Sequence, residues 1–283
     1  MCYSTTIPNR DCSSGCNLSE FKARKAMQIL VAIKQVLDGE VEVSISADAK
    51  CVLKKAMPQA INPFDEVALE AAIALKEQGV ASEITVASIG SDSCKQSLSL
   101  ALAMGADKAI LCQTDREVVG GLYIAKALAK LAKQQRADLV IMGKQAIDSD
   151  ANQTGQMTAA LLNWGQAINV SKLSVNWEKT AVLATCDSDN GGLQVKLPLP
   201  GVVTTALRLN TPRIPTVADI VRARSKPIEV LGTSDWQGGA FQPTVKITKV
   251  RKLSSQKNVT MLKDAADLAA VIDRVSGVIT EGG

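Results

Sequence analysis

Apolar positions along the chain fall into two patterns, short continuous runs and longer stretches with helical spacing. From Met27 the run Ile29-Leu30-Val31-Ala32-Ile33 has the length of a buried strand, expected over Gln28 to Val36. A polar stretch follows to about Gln59, with a hairpin expected around residues 41–48 and 51–55. Asn62-Pro63-Phe64-Asp65-Glu66 then has the makeup of a helix start. An amide stands at the N-cap, proline at the first helical position, and two acids in the first turn, where the helix dipole favours them. Val67, Ala71, Ala74 and Leu75 give that helix an apolar face, and Gly79 ends it. The unit then repeats: strand Glu83 to Ile89, helix Ser93 to Met104, strand Ala109 to Cys112, helix Val118 to Gln135, strand Leu139 to Met142, helix Asn152 to Leu162. Such alternation predicts an α/β fold with a mainly parallel sheet and helices on both faces.

Beyond Trp164 the texture changes. Val170 to Trp177 and Ala181 to Thr185 read as strands, with a turn at Asp189-Asn190-Gly191-Gly192. The segment Leu193 to Leu209 reads as extended and interrupted by Pro198 and Pro200. A last helix is expected over Lys263 to Val275. The chain divides into a disordered extension at 1–26, an α/β domain at 27–230, and an extended C-terminal arm with its helix at 231–283.

Composition narrows the chemistry. The 283 residues contain no histidine, which removes the usual general acid/base near neutral pH, the Ser-His and Cys-His pairs, and the commonest metal ligand. Aromatic residues are 3% of the chain, so pocket walls must be built mostly from aliphatic side chains. Lys and Arg number 32 against 28 Asp and Glu, too mild an excess to argue for nucleic acid. Seven cysteines without a CxxC pair point to a reducing compartment and away from structural zinc. Apolar runs all fall short of the roughly 18 residues of a membrane helix, and residues 1–26 lack the apolar centre of a secretory signal.

In parallel α/β sheets, ligands bind at the carboxyl ends of the strands. Three exits are candidates: after Val36, at Ile89-Gly90-Ser91, and at Gly143-Lys144. The last opens GKQAIDSDANQTGQM, whose helix start at Asn152-Gln153-Thr154 suits a phosphate, with Lys144 to screen charge. The plainer alternative makes Asp150 or Asn152 an ordinary cap and Lys144 a solvated side chain. Neither a Walker pattern nor a GxGxxG fingerprint is present. Arg208, Arg213, Arg222, Arg224 and Lys226 form a basic run, readable as a solvated face or as a protein-docking surface.

Taken together, VAIKQVLD (31–38), INPFDEVALEAAIALKE (61–77), ALAMGAD (101–107), GKQAIDSDANQTGQMTA (143–159) and LRLNTPR (207–213) resemble the β subunit of electron transfer flavoprotein, from about Met27 to Lys226. The resemblance implies an adenine-nucleotide α-hydrolase-like fold and an electron carrier without substrate chemistry of its own. It implies a heterodimer with an α subunit that holds most of one FAD, and a structural AMP in the β subunit. Electrons would come from acyl-CoA and related dehydrogenases of fatty acid oxidation and pass to a membrane quinone oxidoreductase. The compartment implied is the cytoplasm of a bacterium or the mitochondrial matrix of a eukaryote.

Carried onto this chain, the AMP site would comprise Ala32, then Asn62, Pro63, Phe64 and Asp65, and Ile89. Around ribose and phosphate would wrap Gly143, Lys144, Gln145, Ala146, Ile147, Asp148, Ser149, Asp150, Ala151, Asn152, Gln153 and Thr154. Phe64 would lie toward the flavin. A dehydrogenase-recognition loop would comprise Arg213, Ile214, Pro215, Thr216, Val217, Ala218, Asp219, Ile220, Val221 and Arg222, with Val217 in place of a leucine anchor. The C-terminal arm and helix would contact the α subunit. This chain departs from the family at Gly39, where an aromatic is common, and at Thr185-Cys186-Asp187-Ser188, which lacks an Arg-Glu pair. Valine for leucine at 217 buries about one methylene less, roughly 0.8 kcal/mol of contact, which implies a divergent partner set. Two alternatives stand beside this reading: a bifurcating homologue with a second FAD in the AMP site, and a free-standing adenine-nucleotide-binding module.

Overall fold

A computed structural model describes residues 27–39, 43–47, 52–53, 57–114, 120–232, 247–251 and 261–280. The extension at 1–26 and most of the hairpin expected at 41–55 lie outside the described residues, apart from a bridge between Ile45 and Val52. The first strand, Met27–Ala32 (β1), stops earlier than the apolar run predicts. Past it the Lys34 amide donates to a side chain, Asp65 Oδ2 at 2.9 Å, and the chain turns away. Gln35–Leu37 (β2) instead pairs antiparallel with Gln59–Ile61 (β3) in a small separate sheet.

The elements then follow the expected alternation: Pro63–Glu77 (α1), Ala81–Gly90 (β4), Cys94–Met104 (α2), Lys108–Gln113 (β5), Gly121–Gln134 (α3), Leu139–Gly143 (β6) and Thr154–Leu162 (α4). Gly165–Val175 (β7), Ala181–Ser188 (β8) and Gly191–Pro198 (β9) form an antiparallel meander, followed by Gly201–Thr205 (β10). A 3-10 turn at Leu207–Leu209 leads to Val217–Ala223 (α5), Ile228–Leu231 (β11) and a final helix, Ala265–Thr280 (α6).

Among the described residues, nine strands make one sheet in the order β11-β5-β4-β1-β6-β10-β7-β8-β9. Pairing is parallel from β11 through β7 and antiparallel only across β7, β8 and β9. Strand residues of alternate parity feed two cores. Ile29, Val31 and Ile33 pack with α1 and α2 residues such as Leu69, Ile73 and Leu98, whereas Leu30 and Ala32 pack with Tyr123, Leu128 and Leu131 of α3 and Ala159 of α4. Both faces of the parallel sheet are therefore covered, which is why its strands read as continuous apolar runs.

Three boundaries differ from expectation for identifiable reasons. Helix α4 begins at Thr154 because Asp150 and Asn152 both have φ of 46°, a left-handed conformation no helix accommodates. Helix α3 begins at Gly121 because Gly120 is extended (φ −70°, ψ 162°), and the expected start at Val118 lies outside the described residues. In the segment expected to be merely extended, Gly201–Thr205 is a fully buried central strand between β6 and β7, and Pro198 and Pro200 only bound it.

Candidate functional site

Strand β1 has β4, the next strand of the same sheet along the chain, on one side and β6 on the other, so the connections diverge at its carboxyl end. Ligand crevices of open α/β sheets form at such a reversal. The start of helix α1 is hydrogen-bonded to the loop after β6.

The start of α1 is tied to both strand exits by two buried side chains. Asp65, 6% exposed, accepts from the Lys34 amide at 2.9 Å and from the Gly143 amide at 2.8 Å. Asn62, 1% exposed, donates from Nδ2 to the Gln145 carbonyl at 2.9 Å and accepts from the Ile147 amide at 3.2 Å. Asn62 makes no side-chain cap to its own helix, so the cap role expected of it is replaced by loop binding. Thr205 Oγ1, on β10, donates to the Phe64 carbonyl at 3.0 Å. Burial pushes the Asp65 carboxyl up to about 6, against the opposing pull of the Lys34 and Gly143 amides, the Asn62 side chain and the Lys34 charge.

Loop 143–153 is ordered by its own polar groups. Asp150 N donates to the Ala146 carbonyl at 2.8 Å, Gln145 Nε2 to Asp150 Oδ1 at 2.8 Å, and Gln156 Nε2 to Asn152 Oδ1 at 3.1 Å. Lys34 Nζ reaches Asp148 Oδ1 at 2.5 Å, spanning from the β1 exit to the loop. Lys144 Nζ stands 5.8 Å over the ring of buried Phe64, a cation–π distance.

Helix α4 has Gln153 as N-cap and no side-chain cap. Its ladder opens with Met157 N donating to the Gln153 carbonyl at 3.0 Å, leaving the amides of Thr154, Gly155 and Gln156 ahead of it. Gln156 Oε1 is buried without a partner at the same place. Neither Asp150 nor Asn152 serves as the plain cap that would have made this start self-sufficient. The start of α3 lies alongside: a Cβ on Gly121 would sit 3.6 Å from Gln153 and from Thr154 Oγ1. Two helix N-termini thus meet, and their unpaired amides favour an anion. Ala32, Ala87, Ile89 and Met142 belong to the core on that same sheet face.

Every site residue expected from the sequence at Ala32, 62–65, 89 and 143–154 thus lies at the carboxyl end of β1, β4 or β6 or on the elements they lead into. Five contributors, at three places in the chain, were missed. Lys34 holds two of the contacts just described. Gly120 and Gly121 open α3, and a Gly-Gly pair between a strand and a helix was the available signal. Thr204 and Thr205 on β10 carried no readable signal, because that strand's place in the sheet was not evident.

The 213–222 segment, expected as a loop, is a stapled arm followed by a short helix. Arg213 donates to both carboxylate oxygens of Glu70, at 2.9 Å each, and to Glu77 at 2.7 and 3.1 Å, which holds its guanidinium firmly charged. Arg213 therefore serves as an internal anchor, while Ile214 is 91% and Val217 78% exposed. Thr216 and Asp219 form a capping box at the start of α5. A groove of about 450 Å³ runs between this arm and the end of α2, lined in part by Leu102, Met104, Pro215, Ala223 and Lys226. The thiols of Cys94, Cys112 and Cys186 are buried, and burial pushes Cys112 up to about 12. Among the described residues, no group of three or more Cys, Asp or Glu converges to hold a metal, and no helix is long and apolar enough to cross a membrane.

Residues 50–236 match the family described as electron transfer flavoprotein domain. The chain is 41% identical over 254 residues to the electron transfer flavoprotein subunit beta of Bradyrhizobium diazoefficiens, covering 89% of this chain and 100% of that protein. It is 38% identical over 256 residues to the mouse subunit beta, covering 89% and 99%. To the mitochondrial subunit beta of Arabidopsis thaliana it is 38% identical over 242 residues, covering 86% and 96%.

Proposed function

The chain belongs to the electron transfer flavoprotein family, among the β subunits, and from that premise we propose that it is the β subunit of a heterodimeric electron carrier holding AMP in the β1–β6 crevice. The observation that carries the AMP reading is the meeting of two uncapped helix starts with the 143–153 loop at the reversal of strand order. These residues fit an adenine nucleotide. The amides of Thr154, Gly155 and Gln156 and the Thr154 hydroxyl would take the phosphate, and Lys144 would screen its charge. Ala32 and Ile89 would offer an apolar surface to the base. The nucleotide contributes no redox chemistry and serves as structure.

Electrons are carried by FAD, held mainly by the α subunit and enclosed in part by this chain. Without histidine or a nucleophile motif, the chain acts as a carrier subunit and not as an enzyme on a substrate of its own. Exposed Ile214, Val217 and Val221, on an arm fixed by Arg213, would dock on acyl-CoA and related dehydrogenases, and a membrane quinone oxidoreductase would receive the electrons.

Co-expression with and without the α subunit tests the reading. The isolated chain should be colourless and the heterodimer yellow, with one flavin and one AMP released on denaturation. Two flavins per dimer and no AMP would establish the bifurcating kind instead. Strong FAD binding by the isolated chain would overturn the division of labour.

A further inference from the structure

We propose that Lys226 is a positioning residue for partner docking: with Arg213 it pins the segment 213–226 at both ends, across α1 and α2, so that the arm meets its partner already in shape. The inference rests on the docking reading above for what the arm is used for, and on hydrogen bonding for how it is held.

The leading end of the segment is tied to α1. Asn210 Nδ2 donates to the Val67 carbonyl at 3.0 Å, and the Arg213 guanidinium bridges Glu70 and Glu77. The trailing end is tied to α2. Lys226 Nζ donates to the Ala106 carbonyl at 2.6 Å and, more weakly, to the Leu102 carbonyl at 3.4 Å. Helix α2 closes on the Ala101 carbonyl, which receives the Gly105 and Ala106 amides at 3.2 Å each, and Lys226 adds a cation at its negative end. Ala223 is buried in the same core as Leu98 and Leu102 of α2.

Between these two ends little else holds the arm. Among the described residues, the hydrogen bonds of 214–222 stay within 214–225: the Thr216–Asp219 capping box, the Arg222–Asp219 pair and the turn at Ser225. Packing beneath is incomplete, because the groove of about 450 Å³ lies there, and Ile214, Val217 and Val221 face solvent. An arm free to move would lose that freedom on docking and weaken the complex, whereas one fixed beforehand does not. Lys226 is half-buried and turned to carbonyls of its own chain, so it acts on docking through the backbone of the arm.

The test uses the full-length chain with its α subunit, as wild type, Lys226→Met, Lys226→Arg and Val217→Ala. Methionine keeps the length of the side chain and removes its charge and donors. Amide hydrogen exchange is followed over 217–226 and over α2, together with the thermal unfolding midpoint. Electron acceptance from an acyl-CoA dehydrogenase, with the flavoprotein concentration varied, gives KM and kcat. In Lys226→Met we expect exchange over 220–226 to be about tenfold faster, as for the loss of one hydrogen bond to a charged group. KM should rise by up to the same factor, with kcat, flavin content and exchange within α2 unchanged. Lys226→Arg keeps charge and donors and should restore both readings. A raised KM with unchanged arm exchange would make Lys226 a direct contact and overturn the proposal. So would a freed arm with unchanged KM while Val217→Ala still raises it. Faster exchange throughout α2 with a fallen midpoint would reduce Lys226 to a helix cap. Should Lys226→Met fail to fold, Lys226→Gln decides by the same readings. If Val217→Ala leaves KM unchanged, the docking reading fails, and arm exchange still decides the clamp.

Discussion

Gly143 lies so close to Phe64 that a Cβ on it would stand 2.5 Å from the Phe64 Cβ and 2.6 Å from Asp65 Oδ1. The loop after β6 can reach the start of α1 only because residue 143 has no side chain. Gly143→Ala must therefore push loop and helix apart. Overpacking of this kind costs about 1–3 kcal/mol. Denaturant unfolding should show that loss, and AMP retention through gel filtration should fall with it. Unchanged retention would mean that the loop tolerates the displacement.

Gly155 stands in the same relation to the sheet: its Cβ would meet Thr204 Cγ2 at 2.3 Å. Alanine normally improves a helix position by up to about 1 kcal/mol over glycine. Gly155→Ala should nevertheless destabilise the chain. Thr204→Ser removes the offending methyl and keeps the oxygen that accepts from the Asn169 amide at 3.1 Å. Adding it should restore most of the loss, and the coupling in a double-mutant cycle measures the contact.

Val217→Ala should leave stability within about 0.5 kcal/mol, since the side chain is 78% exposed. Electron acceptance from a dehydrogenase should slow while the flavin spectrum stays the same. An unchanged rate removes this arm from docking.

Arg213→Gln tests the anchor behind that side chain. It breaks the fork on Glu70 and the bonds to Glu77. Hydrogen exchange should rise over the arm at 210–216, and electron acceptance should slow although residue 213 stays away from the partner. A slower rate with an unchanged arm would instead make Arg213 a direct contact.

Asp65 should also leave a mark on the pH dependence of folding. Its folded-state carboxyl sits at about 6 against an ordinary 3.8, so the folded chain binds this proton more tightly than the unfolded one. The contribution therefore favours folding in acid, is lost as pH rises between about 4 and 6, and is constant above that. A shift of this size corresponds to about 3 kcal/mol. Comparing wild type with Asp65→Asn across that window isolates it: the variant should gain relative stability as pH rises. Parallel profiles would show that Asp65 ionises normally.

Legibility followed range. The run before Ala32, the Asn62-Pro63 start and the apolar face of α1 announce themselves within a few residues, because period and capping are local properties. The loop 143–153 stood out by its amides and glycines after an apolar run. Its left-handed residues Asp150 and Asn152, which delay α4 to Thr154, did not, since nothing nearby in sequence requires them. Arg213 looked like a docking charge until Glu70 and Glu77, on α1, were seen to hold it.

By itself the sequence determined the class of fold, the alternation of strands and helices, the family, and which segments could form a crevice. Tertiary structure decided which strand ends, helix starts and loops come together there. Strand β10, unremarkable in sequence, is the wall on which α4 and the start of α1 are set, through Thr204 and Thr205. The ties that shape the site join residues 31, 78, 83 and 141 positions apart. Hydrogen bonds over such separations leave no periodicity to read, because their geometry comes into being only when the sheet brings the strand ends together.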